Sequence, residues 1–191
     1  MTGFLDIAVT PSVRAAQLAA GVAHPPFARE ADRFTEAEAA FIATRDSFYL
    51  ASVSETGWPY VQHRGGPPGF LKVLDDRTLA FADYRGNRQY LSVGNLGASD
   101  RVCLFLMDYP RRARLKIYAT AEILAPEPPT PGYRALPERM IRLHLQAFDW
   151  NCPQHITPRY TQAELAPLAE QLAQLEAENA ALKARLAEEK R

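Results

Sequence analysis

Between residues 47 and 82 the chain alternates short β-favouring runs with turn residues four times in succession, and that spacing restricts the fold more than any other feature of the sequence. Ser47-Phe48-Tyr49-Leu50-Ala51-Ser52-Val53 has strand composition, Glu55-Thr56-Gly57 supplies a turn, and residues 58–63 return as the second arm of a hairpin. Residues 69–74 give a third strand, and Asp75-Asp76-Arg77 turns it into a fourth over residues 78–82. Strands this short and this tightly joined form meanders of the kind small barrels are built from. Residues 101–107 and 113–124 raise the expectation to six antiparallel strands, with Asp108-Tyr109-Pro110-Arg111-Arg112 as the connecting turn. In the last strand Leu115, Ile117, Ala119 and Ala121 alternate with Arg114, Lys116, Tyr118 and Thr120, so one face is core and the other polar.

Helices flank this β region. Residues 11–20 form a short one, and irregular His24-Pro25-Pro26-Phe27 follows as a covering arm. Thr35-Glu36-Ala37-Glu38 has capping-box spacing, which predicts a helix over residues 36–45 with Phe41 and Ile42 facing inward. Residues 87–96 are expected to be helical, packing Tyr90, Leu91 and Val93 on the sheet. Residues 126–131 are a proline-rich linker that ends the barrel. Beyond it, residues 137–148 read as a helix with proline in its first turn and Met140, Ile141, Leu145 and Phe148 as its apolar stripe. The division expected is an arm (1–34), a mainly β domain (35–160) and a C-terminal helix (161–191).

That tail has its own pattern. Leu165, Leu168, Leu172, Leu175, Asn179, Leu182 and Leu186 are spaced alternately by three and four, placing Leu165, Leu172, Asn179 and Leu186 at a and the other leucines at d of a heptad. An asparagine at a favours a parallel two-stranded register, and Glu178 at g can meet Lys183 at e of a partner. A lone amphipathic helix packed on its own domain is the competing reading. Pro167 weakens the first turn, which sets the expected start of the continuous helix near Ala166.

Lys+Arg and Asp+Glu each total 22 and 47% of residues are hydrophobic, so the chain has material for a core and no net field toward nucleic acid or anionic membrane. The first 27 residues lack the pattern of a signal peptide, and no apolar run reaches membrane-span length, so a soluble cytoplasmic protein is expected. Any anion site must be local. The best candidate is the strand over residues 78–83 running into Tyr84-Arg85-Gly86-Asn87-Arg88-Gln89-Tyr90. Arginine offers a fork of donors matched to phosphate oxygens, and a following helix aims N-terminal amides at the same anion. A second basic, glycine-rich turn, Gln62-His63-Arg64-Gly65-Gly66, ends the hairpin. Each turn alone is also readable as a solvated loop.

Asp149-Trp150-Asn151-Cys152-Pro153-Gln154-His155-Ile156 gathers an acid, an indole, a thiol and an imidazole. Cys152 and His155 have C-x-x-H spacing but no second ligand pair, so no metal is expected. No oxyanion site accompanies a Cys152 nucleophile with His155 or His63 as base. Trp150 is either a packing residue or an aromatic wall beside a planar ligand. Cys103 reads as a small buried hydrophobe, His144 as a helix-surface residue and His24 as a loop residue. Arg111 and Arg112 sit at a hairpin tip, and Arg114 and Lys116 point toward a cleft that a second subunit would share.

The order of these features resembles the pyridoxamine 5'-phosphate oxidase-like family, the FMN-binding split barrels. The resemblance rests on the helix, the hairpin over residues 48–63, the strands at 70–74 and 78–83 followed by Gly86-Asn87-Arg88, and the strands at 101–106 and 114–122. Asp149-Trp150-Asn151-Cys152-Pro153-Gln154-His155-Ile156 is similar to the C-terminal motif of an uncharacterised FMN-binding branch. The resemblance implies a homodimer with FMN at the subunit interface, where Gln62, His63, Arg64 and Gly65 contact the ring and ribityl chain. It implies a phosphate turn made by Arg85, Asn87, Arg88 and Gln89. Arg114 stands where family members place a glutamine that reaches FMN, and Trp150 is assigned to the cofactor wall. His63, Trp150 and His155 become the substrate-facing candidates. Gly65-Gly66-Pro67-Pro68 replaces the longer apolar strand of the pyridoxamine phosphate oxidases, so oxidation of vitamin B6 is not expected to transfer. The expectation is an FMN-dependent oxidoreductase of a small substrate; the alternative is a non-catalytic flavin- or heme-binding sensor or scaffold.

Overall fold

Period-two burial organises the chain. Along β1 (Ser47–Val53) Phe48, Leu50 and Ser52 are buried, and along β5 (Arg101–Asp108) Val102, Leu104, Leu106 and Asp108 are, as side chains on a pleated strand alternate between faces. β2 (Pro59–Gly65), β3 (Lys72–Val73), β4 (Thr78–Tyr84), β6 (Ala113–Leu124) and β7 (Pro137–Trp150) complete one antiparallel sheet of seven strands in the order β2-β1-β5-β6-β7-β4-β3. The computed structural model describes residues 3–22, 32–128, 133–150 and 153–189; His24, Pro25, Pro26, Phe27 and Cys152 lie outside them. Its chain forms two compact units, Met1–Asp108 with Ala113–Gln154, and Tyr109–Arg112 with His155–Arg191.

The sheet curls without closing. Phe48, Leu50, Leu79, Phe81, Leu104 and Leu106 meet Leu115, Ile117, Ile141 and Leu143 in its concave interior, all 1% exposed or less. The expected antiparallel split barrel is the observed fold, but with seven strands rather than six, because β7 joins the sheet beyond the proline-rich segment expected to end the barrel. Helices α1 (Phe4–Ala8), α2 (Pro11–Ala19), α3 (Glu36–Ala43) and α4 (Leu91–Ala98) flank it. α3 starts at the predicted capping box, with Glu38 accepting from the Thr35 amide at 2.9 Å, and inserts fully buried Ile42 into the core.

Four expectations are corrected. The segment at 137–148 is not a helix but β7, which pairs with β6 on one side and β4 on the other. Ile141, Leu143, Leu145 and Ala147 are buried while His144 and Gln146 are exposed, a strand alternation that the i, i+4 pairs of a helical stripe also fit. The deciding term is tertiary, because β4 and β6 would otherwise each present an unpaired edge inside the fold. His144 is accordingly on a strand. The strand expected at 69–74 shrinks to Lys72–Val73, since Gly69 takes a φ of +76° and Phe70 closes a turn onto the Pro67 carbonyl at 2.9 Å. The helix expected from Asn87 begins at Leu91; Ser92, Asn95 and Leu96 are its buried residues, while Tyr90 and Leu91 are exposed. Cys103 is half-buried on the outer face, not in the core, and burial there pushes its thiol up against a smaller opposing pull from Lys116.

In the second unit α5 (Gln162–Glu188) begins four residues earlier than Pro167 suggested. Thr161 and Glu164 form a reciprocal capping box there, with Glu164 accepting from the Thr161 amide at 2.8 Å, which offsets the one helical bond that Pro167 cannot donate. No helix among the described residues is long and apolar enough to cross a membrane.

Candidate functional site

The hydrogen-bonded strand order ends at β2 on one side and at β3 beside β4 on the other. Charge bridges the gap between β2 and β4. Buried Asp83 of β4 accepts from Arg64 of β2 in a close ion pair and from Arg139 of β7 at 2.9 Å. Above this junction lies a cleft of about 220 Å³, walled by Tyr60, Gln62 and Arg64 of β2, Asp83 and Tyr84, the loop from Gly86 to Tyr90, the first turn of α4, and Glu138 and Arg139 of β7.

Period two explains which part of Gln62-His63-Arg64-Gly65 reaches this cleft. Tyr60, Gln62 and Arg64 share the half-buried face of β2, whereas Val61, His63 and Gly65 are exposed on the other. The His63 ring instead stands edge-on to Tyr49, with centroids 5.6 Å apart. Gln62 accepts a short hydrogen bond from the Tyr60 hydroxyl.

The loop is built against ordinary backbone preference. Arg88 and Tyr90 have φ of 62° and 52°, left-handed values that side chains other than glycine rarely adopt. The Asn87 carboxamide oxygen accepts from the Gln89 amide at 3.1 Å, closing a local turn between them. Alternating left-handed residues turn successive amides toward one side, and α4 follows at once. Its first helical bond runs from the Gly94 amide to the Tyr90 carbonyl at 2.8 Å, so the amides of Leu91, Ser92 and Val93 have no helical acceptor. All three residues line the cleft.

Two buried polar atoms there lack a hydrogen-bond partner among the described residues, the Ser92 hydroxyl and Nε of Arg64. An anion with several acceptor oxygens would satisfy both. Arg64, Arg88 and Arg139 face Asp83 and Glu138, which leaves the lining one positive charge in excess. Glu138 is itself committed: the hydrogen bond from Arg85 Nε at 3.1 Å, then the Tyr90 hydroxyl and the Arg139 charge, hold its carboxyl below the usual value against a weaker effect of burial. These features fit a phosphate monoester.

The structure thus brings Gln62, Arg64, Asn87, Arg88 and Gln89 to one cleft. Arg85 borders it through Glu138 without lining it. Gly65 lies at the exposed end of β2. Arg114 holds its guanidinium 5.2 Å from the Phe105 ring centre on β5, and Lys116 pairs with Asp149 at 2.7 Å. Trp150 packs edge-on against Phe41 at 4.8 Å and donates from its indole to Glu38 at 2.8 Å, pinning the end of β7 to α3. His155, with φ of 62°, belongs to the C-terminal unit. Arg139, Glu138, Asp83, Tyr60 and Ser92 are the cleft residues that sequence reasoning did not single out. Arg139 and Glu138 were hidden by the helical reading of their segment, and the small, unmarked Ser92 gave no signal.

A larger hollow of about 670 Å³ lies on the outer face, lined by residues such as Ile7, Val53, Cys103 and Tyr118. It lacks the convergence of basic groups found in the cleft.

As an antiparallel split barrel the chain is similar to known proteins. The family model described as pyridoxamine 5'-phosphate oxidase matches residues 34–174 of the 191, and the chain belongs to that family. No curated protein matches the sequence significantly. HupZ from Group A Streptococcus superposes with a TM-score of 0.51 at 16% identity, covering 66% of this chain and 99% of that one, which shows the shared fold. An FMN-binding protein from Syntrophomonas wolfei gives 0.41 at 12% identity over 59% of this chain and 81% of that one. General stress protein 26 from Bacillus anthracis gives 0.41 at 14% identity over 58% and 88%.

Proposed function

We propose that the seam cleft holds the phosphate end of FMN and that the chain is an FMN-dependent oxidoreductase of a small substrate. The observation that carries this reading is the convergence of Arg64, Arg88, Ser92 and the α4 amides on one cleft with unsatisfied donors. Arg88, Ser92 and the backbone of the Asn87–Gln89 turn would take the phosphate oxygens, and Gln62 is placed for the polyol chain that follows. Asp83 and Glu138 fix the direction of Arg64 and Arg139, so the anion meets donors that are already oriented. FMN, when bound, supplies hydride exchange with the substrate. No side chain of the cleft is needed as a general base for that chemistry, and none is assigned one.

Ligand pockets for whole cofactors run to about 300–1,000 Å³, so a cleft of about 220 Å³ suits the phosphate and polyol but not the ring. That mismatch supports a site completed by a second copy, as in the family arrangement, with exposed His63 as the candidate facing substrate. The test is the absorbance of the purified protein followed by titration with FMN. Flavin absorbance and quenching of FMN fluorescence at one FMN per chain are expected; a colourless protein that leaves FMN fluorescence unchanged overturns the reading. Anaerobic reduction of the bound flavin by NADPH or NADH then tests turnover. A flavin that no donor reduces would make the protein a non-catalytic flavin binder.

A further inference from the structure

No residue of α5 is buried, and the six leucines of its heptad stripe are between 44% and 63% exposed. The stripe, Leu165 to Leu186, spans about 32 Å of the 27-residue helix at 1.5 Å per residue. An apolar seam of that length on an isolated helix needs a cover.

We propose that α5 pairs in parallel and in register with α5 of a second copy of this chain. Three features of the helix select that occupant. Asn179 is the one polar residue in the stripe from Leu165 to Leu186, and only in a parallel, unshifted pair does its amide meet the same amide of the second copy. In an antiparallel or slipped pair it faces leucine with its hydrogen bonds unmet. Glu178 at g and Lys183 at e carry opposite charges at the spacing that a parallel pair brings together, twice by symmetry, beside the asparagine layer. Pro167 falls at a c position, away from the seam, so its missing amide removes no contact from the interface. Alanine fills every b position and three of the four f positions from residue 163 to residue 187, which favours helix without offering a second apolar stripe of large residues. The family match ends at residue 174, so the asparagine layer and the last leucines lie beyond it. The inference does not rest on the flavin reading.

The test uses the full chain with Cys103→Ser and Cys152→Ser, carrying one new cysteine at a time. Leu168→Cys, at d, should form a disulfide-linked dimer on mild oxidation with at least about tenfold the yield of Ala184→Cys, which points away from the seam. Leu168→Cys, at d, mixed with Leu186→Cys, at a, should give no cross-linked heterodimer, because the two positions are about 27 Å apart along a parallel pair, whereas an antiparallel pair sets a against d. Asn179→Leu should move the sedimentation profile toward larger assemblies. Preferential cross-linking of the mixed pair would establish an antiparallel arrangement and overturn the proposal. Equal yields from Leu168→Cys and Ala184→Cys, or an unmodified chain that sediments as a monomer, overturn it as well. All three cysteines replace exposed residues outside the barrel, and far-UV circular dichroism of each variant verifies that the fold is kept. FMN titration is read separately, so failure of the tail pairing and failure of the cleft are distinguishable.

Discussion

Asp83→Asn tests the junction on which the cleft is built. The Asp83 side chain is 7% exposed and lies between the guanidiniums of Arg64 and Arg139, themselves 16% and 17% exposed. Asparagine keeps the shape and one acceptor but removes the charge, leaving two like charges close together with little water. Removing one partner of a buried ion pair costs about 3–5 kcal/mol. The partial exposure of both arginines and the acceptor that remains put the loss at the lower end, about 3 kcal/mol. At about 2–4 °C per kcal/mol for a unit of this size, the melting temperature should fall by about 6–12 °C in a phosphate-free buffer. The vacated position invites an anion. Inorganic phosphate at a hundred times its dissociation constant contributes about 2.7 kcal/mol, so most of the loss should return on adding phosphate at constant ionic strength. Thermal melts followed by circular dichroism, with chloride as the control salt, measure both effects. A variant within about 2 °C of the parent without phosphate refutes the claim that Asp83 holds the seam. Failure of phosphate to protect the variant refutes the claim that Arg64 and Arg139 serve the anion.

Arg88→Ala should weaken FMN binding about 10- to 100-fold, the loss of one charge-assisted contact of about 1.5–3 kcal/mol, while leaving the melting temperature nearly unchanged because Arg88 is exposed; fluorescence titration and melts check the two halves. Glu38 is buried, and although burial is the largest single influence and pushes its carboxyl up, the Thr35 hydroxyl, the Trp150 indole and the Thr35 amide together hold it below 4.5. A depressed value in the fold means a contribution fully present above 4.5 and lost as pH falls through the folded value. Glu38→Gln should therefore melt lower than the parent near neutral pH, by the equivalent of about 1–3 kcal/mol, and the difference should close in acid; a constant gap across that range would exclude the carboxylate as its source. In hydrogen exchange, the amides of Ile141, Leu143 and their neighbours in β7 should be among the slowest, since this strand is paired on both sides.

The barrel was legible where period and turn chemistry agreed. β1 and β6 fall where alternation and flanking turns put them, and α3 begins at its capping box. β7 was not legible. Its helix-like stripe and N-terminal proline are local signals, and they were overruled by a condition the segment itself does not carry, two strand edges far apart in sequence that both required a partner. Its pairing with β6 even shifts register between Tyr118 and Ala119, an irregularity that further blurs any strict two-residue repeat. The same distance rule limited the site. Asn87, Arg88 and Gln89 announce themselves in one loop, but Arg64 and Asp83 are 19 residues apart and Asp83 and Arg139 are 56 apart, joined only by the curl of the sheet.

That curl explains why the cleft occurs at the seam. Had β2 and β4 continued the ladder, their backbone groups would have been consumed by each other, and the side chains over the joint would have packed as they do elsewhere in the barrel. A charged clasp holds the two edges through side chains instead, leaving a gap above it wide enough for a small anion. The clasp also orients its arginines before any ligand arrives, since each donates to a carboxylate at the floor of the cleft. One carboxylate therefore closes the seam and aims the donors. Hence the prediction for Asp83→Asn couples stability to phosphate: a purely structural ion pair would give the first effect without the second.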